Sequence, residues 1–144
     1  MSAVARVKYR VIYGDTDCGG VVYYANYLRL FEIGRTELLR AKGLTYREIE
    51  EKENLILPVV EAHVRYRKPL RYDDLVLIET ALTELKPHKV RFDYRLLVED
   101  VLHATGYTVH VPVNKEGRLQ KFPEPLYHFL EKLILSEKSV YKNE

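Results

Sequence analysis

The sequence predicts an α+β protein in which a curved antiparallel sheet wraps around one long central helix. In residues 6–13, apolar or aromatic side chains at the odd positions alternate with mostly basic ones at the even positions, which is the period of a half-buried strand. From Tyr24 to Leu38, apolar side chains recur every three or four residues, which is the period of a helix. Between residues 60 and 113 the chain returns to strand alternation interrupted by turns, which is typical of consecutive antiparallel strands.

The first strand ends in the turn-forming segment GDTDCGG, and the long helix follows it. One stripe of this helix is formed by Tyr24, Tyr27, Leu28, Phe31, Arg35 and Leu38. Gly43 suits the position just after the helix. Gly34 lies inside it, where glycine costs about 1 kcal/mol relative to alanine. We therefore expect another part of the chain to approach Gly34 closely.

A short polar helix is predicted in TYREIEEKE, before the strand-rich half of the chain. Alternating runs at residues 60–67, 74–85 and 90–98 predict three strands, and VED leads into a fourth within VLHATGYTVHVPV. Pro125 opens a last amphipathic helix. We expect residues 1–136 to form one domain and residues 137–144 to be a frayed tail.

The composition excludes several classes of protein. The chain has 144 residues, 47% hydrophobic and 31% charged, as expected for a globular protein, and a net charge of +2 gives no indication of nucleic-acid binding. The lone cysteine, Cys18, excludes an internal disulfide and fits a reducing compartment. Basic residues interrupt the N-terminus, and no stretch approaches the about 20 apolar residues of a membrane span. We expect a cytoplasmic location.

The segment YGDTDCGGVVYYANY, residues 13–27, has four interpretations. Asp15 or Asp17 could simply accept backbone N–H groups in a turn. A calcium loop of the EF-hand type is excluded, because Gly19 and Asn26 occupy positions that need oxygen ligands. A phosphate-binding glycine loop is poorly matched, because its lysine and hydroxyl residues are missing.

The fourth interpretation is catalytic. A carboxylate beside the start of a helix can attack a carbonyl or activate water, while the first N–H groups of the helix polarise the carbonyl oxygen. The glycines at positions 19 and 20 would let a substrate approach the backbone, and Tyr23, Tyr24 and Tyr27 would shape an apolar pocket. This arrangement is suited to acyl transfer.

The stretch YGDTDCGGVVYYANYLRLFEIGRTELL resembles the signature of the 4-hydroxybenzoyl-CoA thioesterase family of hotdog-fold proteins. VRYRKPLRYDDLV, residues 64–76, resembles a second and less specific segment of that family. The resemblance implies a hotdog-fold acyl-CoA thioesterase that needs no metal or redox cofactor. Its catalytic aspartate falls on Asp17, acting as a general base on water or as a nucleophile through a mixed anhydride, and Asp15 supports the loop.

The resemblance also implies the substrate contacts, with the N–H near Tyr24 polarising the carbonyl. The expected contacts are Tyr13, Gly20, Val21, Tyr24, Asn26, Tyr27 and Tyr66. A local cation cluster could bind the phosphates of coenzyme A or be a solvated strand face and loop; it consists of Arg65, Arg67, Lys68 and Arg71. Position 24 carries tyrosine where a branch associated with the cell-envelope Tol–Pal system commonly has histidine, so the acyl preference and any envelope partner stay open.

Other catalytic and metal sites lack support in the sequence. The five histidines show no metal-ligand spacing, and Cys18 has no histidine at a recognisable local spacing. Open strand edges predict at least a homodimer, and the resemblance implies a dimer of dimers. Two alternatives to a thioesterase are a hotdog hydratase or dehydratase, which would want a histidine in the site, and a non-catalytic module that binds acyl-CoA or a partner protein.

Overall fold

The computed structural model describes residues 4–134, so the predicted tail at residues 137–144 lies outside the described residues. The strands are β1 (Ala5–Arg10), β2 (Val59–Tyr66), β3 (Leu75–Lys86), β4 (Lys89–Val98) and β5 (Val101–His110). The helices are α1 (Tyr27–Ala41), α2 (Tyr46–Glu53) and α3 (Glu124–Glu131). Short 3-10 turns at Tyr13–Asp15 and Tyr24–Asn26 lie between β1 and α1.

The strands form one antiparallel sheet in the order β1-β3-β4-β5-β2, and α1 packs against it. The buried stripe of α1 includes Leu30, Phe31 and Leu38, which join one hydrophobic cluster with the inward-facing side chains of the sheet. The Phe31 ring stacks on the Tyr94 ring of β4 with centroids 4.2 Å apart. A long apolar helix therefore lies on a five-stranded sheet, and the α+β fold class predicted from the sequence is confirmed.

Gly34 is buried where α1 crosses β3. A Cβ atom at this position would lie 2.9 Å from Cγ2 of Ile78 and would overlap Oγ1 of Thr80. The prediction of a close approach at Gly34 is confirmed, and the absence of a side chain lets α1 contact the sheet directly.

Strand β2 lies at one edge of the sheet and is exposed along its length except at Val64. Val59 and Val60 are 45% and 58% exposed, which is high for β-branched apolar side chains. An edge strand of this kind leaves backbone N–H and C=O groups unpaired along one side. Within residues 4–134, no helix combines the length and hydropathy needed to cross a membrane.

Candidate functional site

Asp17 begins a tight turn that projects from the loop between β1 and α1. Thr16 and Val22 pair as an antiparallel bridge at the base of this turn. Inside it, the Asp17 N–H donates to the Val21 carbonyl at 2.8 Å, and the Gly20 N–H donates to the Asp17 carbonyl at 3.2 Å. Gly20 has a φ of 83°, a conformation that glycine adopts without strain.

The Asp17 side chain is exposed at this turn. Its Oδ1 accepts a 2.7 Å hydrogen bond from the Gly19 N–H, as in an Asx turn. The capped-turn interpretation is therefore correct for this oxygen. No other group in residues 4–134 binds the carboxylate, so Oδ2 faces solvent and is accessible to a substrate.

Asp15 is only 2% exposed and has three partners. Its Oδ2 accepts from the hydroxyl of Tyr9 at 2.8 Å and from the N–H of Ile12 at 3.0 Å, while Oδ1 accepts from Nη1 of Arg29 at 2.6 Å. Burial alone would raise the pKa of Asp15, but the Ile12 N–H, Arg29 and Tyr9 together hold it below its usual value. Asp15 is an ionised anchor inside the loop, which is the supporting role expected of it.

The backbone carbonyl of Asp15 positions the start of the helix. It accepts from Nδ2 of Asn26 and from the N–H of Tyr23, both at 2.9 Å. Asn26, a predicted substrate contact, therefore has a structural bond that links the Asp17 turn to α1.

The first N–H groups of the 3-10 turn at Tyr24–Asn26 are unbonded. The Asn26 N–H donates to the Tyr23 carbonyl at 2.8 Å, but none of the described residues accepts from the N–H of Tyr24 or Ala25. Helix starts leave such donors for ligands or water. Tyr24 follows Val22, at the base of the Asp17 turn, by two residues, so the carboxylate and the two free donors belong to the same loop.

The predicted aromatic contacts occupy different environments. Tyr13 is 73% exposed and stacks on Tyr72, with centroids 3.9 Å apart and planes within 7°. Tyr24 is 63% exposed, and its carbonyl accepts from the hydroxyl of Tyr66 at 2.9 Å. Tyr27 is 3% exposed and its ring packs edge-on against Tyr66, so it belongs to the core as much as to the site.

The segment after β2 joins the Asp17 turn through the backbone. The Val22 N–H donates to the Leu70 carbonyl at 2.7 Å, and Val21 pairs with Arg71. Arg71 is therefore the predicted cation closest in the fold to the Asp17 turn. Arg65, Arg67 and Lys68 are also exposed, but they lie at the end of β2.

A cavity of about 240 Å³ runs along α1 from the helix start. It is lined by Ala25, Leu28, Arg29, Glu32, Arg35, Val59, Ala62 and Thr108. A second cavity, of about 510 Å³, lies between α1, α2 and residues 56–58 and shares Glu32 and Arg35 with the first.

The sequence analysis did not predict a functional role for Arg29 or Arg35. For Arg35 the sequence held one usable signal, because it is a charged residue within the otherwise apolar stripe of the helix. Residues 4–134 bring no three metal-ligating side chains together.

Comparison with known proteins assigns the family. A family model described as the thioesterase-like superfamily matches residues 11–132, which include the Asp17 turn, α1 and strands β2 to β5. The chain belongs to this superfamily. The narrower resemblance to 4-hydroxybenzoyl-CoA thioesterases stays a prediction.

Two of the proteins with similar sequences are named for an activity. An acyl-CoA thioesterase, YbgC of Haemophilus influenzae, is 36% identical over 116 residues, which cover 81% of this chain and 85% of the relative. A 1,4-dihydroxy-2-naphthoyl-CoA hydrolase of Synechococcus elongatus is 34% identical over 125 residues, covering 85% and 92%. A hypothetical protein of Thermus thermophilus has the same fold, with a TM-score of 0.86, 33% identity and coverage of 92% and 99%.

Proposed function

We propose that this thioesterase-like protein hydrolyses acyl-CoA thioesters, with the carboxylate of Asp17 as the reacting group. The observation that carries the proposal is the pairing of an exposed carboxylate with two unbonded N–H groups at the start of a helix. The buried Asp15 holds this pairing in place. The names of the relatives support the thioester as substrate.

In the proposed reaction, the thioester oxygen accepts hydrogen bonds from the N–H groups of Tyr24 and Ala25. These donors stabilise the negative charge that develops on the oxygen as the carbonyl carbon becomes tetrahedral. Asp17 either removes a proton from an attacking water or attacks the carbon itself, giving a mixed anhydride that water then hydrolyses. The C–S bond breaks, the thiolate of coenzyme A takes up a proton, and the acid is released. The reaction needs no metal or redox cofactor.

The cations after β2 are proposed to bind the phosphates of coenzyme A. Arg71 is favoured, because it pairs with Val21 at the Asp17 turn. The other three, Arg65, Arg67 and Lys68, are exposed at the end of β2 and could contact the more distant phosphates.

We also propose that the chain forms at least a homodimer through β2. A second copy could pair its own β2 with this edge and cover the exposed Val59 and Val60. Because Val59 and Ala62 line the 240 Å³ cavity, the partner would also close this cavity, which we propose as the acyl pocket. Light scattering should give at least twice the 17.0 kDa chain mass, and a monomer would contradict the proposal.

The test of the chemistry is the release of free thiol from short, long and aromatic acyl-CoAs by the wild type and by Asp17→Asn. We expect the substitution to lower kcat about 100-fold or more, because a positioned acid or base contributes at least that much. Asp100→Asn is the matched control, since Asp100 is an exposed aspartate in the turn between β4 and β5, where its φ is 67°. It should retain wild-type activity.

Circular dichroism must first establish that both variants are folded. Turnover that survives in Asp17→Asn would assign the reaction to another group. If the wild type binds acyl-CoA without turning over any member of the panel, the protein is a binding module and the proposal is wrong.

A further inference from the structure

We infer that the acyl pocket ends at Arg35 and selects acyl groups that carry an oxygen acceptor at their far end. The inference rests on the proposed function only for the position of the thioester at the helix start. The 240 Å³ cavity begins at Ala25, whose N–H is one of the two free donors, and extends to Arg35. At 1.5 Å per residue, ten helical residues separate these positions by about 15 Å.

Apart from Arg29 and Glu32 of α1, the lining of this cavity between Ala25 and its far end is apolar. Its middle is formed by Leu28 of α1 and by Val59 and Ala62 of β2. A hydrocarbon chain or a ring could occupy this part without losing a hydrogen bond. Arg35 and Thr108 line the far end, so the end of the acyl group meets polar side chains there.

The guanidinium of Arg35 forms no ion pair with a described residue, although Glu32 lines both cavities beside it. Its Nε is buried and has no acceptor among residues 4–134, and its Nη1 makes one long hydrogen bond of 3.5 Å to the Tyr94 hydroxyl. In the described part of the chain, no carboxylate lies within ion-pair distance of it. Arginine stays charged in proteins, and a buried donor without an acceptor destabilises the fold. Such a group is explained when a ligand supplies the acceptor.

The other polar groups at this end are already satisfied by one another. Nδ1 of His110 lies 2.9 Å from the Leu57 carbonyl, which can only accept, so Nδ1 carries the proton. Burial lowers the pKa of His110 to about 4, so at neutral pH Nε2 is an acceptor for the Thr108 hydroxyl at 2.9 Å. Thr108 in turn accepts from Tyr94 at 2.6 Å. The Tyr94 oxygen is thereby an acceptor for Arg35, and this chain of bonds leaves Nε without a partner.

Tyr46 of α2 adds a second unused donor. It lines the 510 Å³ cavity together with Arg35, and its hydroxyl is buried with no hydrogen-bond partner among the described residues. Burial raises the pKa of Tyr46 more than the neighbouring Arg35 guanidinium lowers it, so the hydroxyl keeps its proton and can donate. Glu32 and Glu50 line the same cavity, and both side chains are exposed; the charge of Glu32 raises the pKa of Tyr46 further. The two cavities share Arg35, so a hydroxyl or carboxylate oxygen that reaches Arg35 from the 240 Å³ cavity could accept from both buried donors.

The test compares three twelve-carbon thioesters that are long enough to span the distance from Ala25 to Arg35 and differ only in their end group: dodecanoyl-CoA, 12-hydroxydodecanoyl-CoA and dodecanedioyl-CoA. We expect the wild type to prefer one or both oxygen-bearing substrates by about 10- to 100-fold in kcat/KM, the range of a hydrogen bond to a charged group. Arg35→Met removes the charge at similar length and should reduce this ratio to near one. Arg40→Met is the control, because Arg40 is an exposed residue of the same helix, paired with Glu37. It should leave the ratio unchanged.

Calorimetric Kd values on Asp17→Asn separate this inference from the proposed function. Tighter binding of the oxygen-bearing thioesters, without turnover by the wild type, would support the Arg35 site and contradict the thioesterase. Turnover of all three with no preference for an end group, or a preference unchanged in Arg35→Met, would overturn the Arg35 site. If Arg35→Met does not fold, Tyr46→Phe removes only a hydroxyl; a folded Tyr46→Phe protein that keeps the full preference would also overturn it.

Discussion

Replacing Asp15 should lower the free energy of unfolding, and Asp15→Ala should lower it more than Asp15→Asn. Tyr9 and Ile12 both donate to Oδ2, whereas Arg29 donates to Oδ1. Asparagine can place its oxygen at the Oδ2 position and keep the first two donors. It loses the bond to Arg29 and the charge. Alanine leaves all three donors without an acceptor.

The magnitudes follow from burial. The Arg29 side chain is 52% exposed, so water replaces its lost partner and the ion pair contributes at most about 1 kcal/mol. With the weakening of the two remaining bonds, Asp15→Asn should cost about 1–2 kcal/mol in the free energy of unfolding. Asp15→Ala also leaves two partly buried donors unpaired, at about 1 kcal/mol or more each, and should cost about 3–4 kcal/mol.

Urea denaturation followed by circular dichroism measures these differences. Asp17→Asn is the matched comparison, because the Asp17 side chain is exposed and its one bond, to Gly19, can be made by asparagine; its stability should stay within about 0.5 kcal/mol of the wild type. The pKa of Asp15 is lowered in the folded state, so its stabilisation is present above the unfolded pKa of about 3.9 and is lost as the pH falls through the folded pKa. Equal stabilities of Asp15→Ala and the wild type would refute the anchoring role of Asp15.

Two further predictions concern the core. His110 is fully buried, and its pKa is lowered to about 4. As the pH falls, the unfolded chain therefore binds a proton at this histidine before the folded chain does. The free energy of unfolding should fall by about 3 kcal/mol between about pH 6.5 and pH 4. Urea midpoints at several pH values should show a flatter dependence for His110→Gln, and parallel curves would contradict this role. Gly34→Ala should lower stability by about 2 kcal/mol, because overlap with Thr80 exceeds the gain in helix propensity. In the double variant Gly34→Ala/Thr80→Ala the overlapping hydroxyl is gone, so part of the lost stability should be recovered. If the costs of the two single substitutions simply add, the overlap with Thr80 is not the cause.

The sequence predicted those parts of the fold that depend on local periodicity. The stripe of α1 and the alternation of the later strands each reflect which face of an element is buried. Gly34 indicated the contact between helix and sheet, because an internal glycine has a local cost that needs a reason. The exposure of β2 could not be predicted in this way, since the residues of an edge strand alternate like those of a central one.

The candidate site was predicted only where a motif identified it. The segment DTD offers two carboxylates, and periodicity does not say which is buried; Asp15 is buried because Tyr9 and Arg29 come from separate elements on either side of it. The surroundings of Arg35 are less local still. Tyr94 and His110 belong to β4 and β5, and the sheet register brings them to α1.

Helix α1 connects the two proposed functions of the pocket. The 3-10 turn that leads into it supplies the free N–H groups, and its third turn carries Arg35. Both groups are fixed to one rigid element, so helix rise sets the distance between the reacting carbonyl and the acceptor of the acyl group. An acyl group too short to span about 15 Å would leave Arg35 unpaired, while a longer one would displace the thioester from the donors. Acyl length and the chemistry of the acyl end are therefore selected together, and a substitution at Arg35 should relax both without moving Asp17.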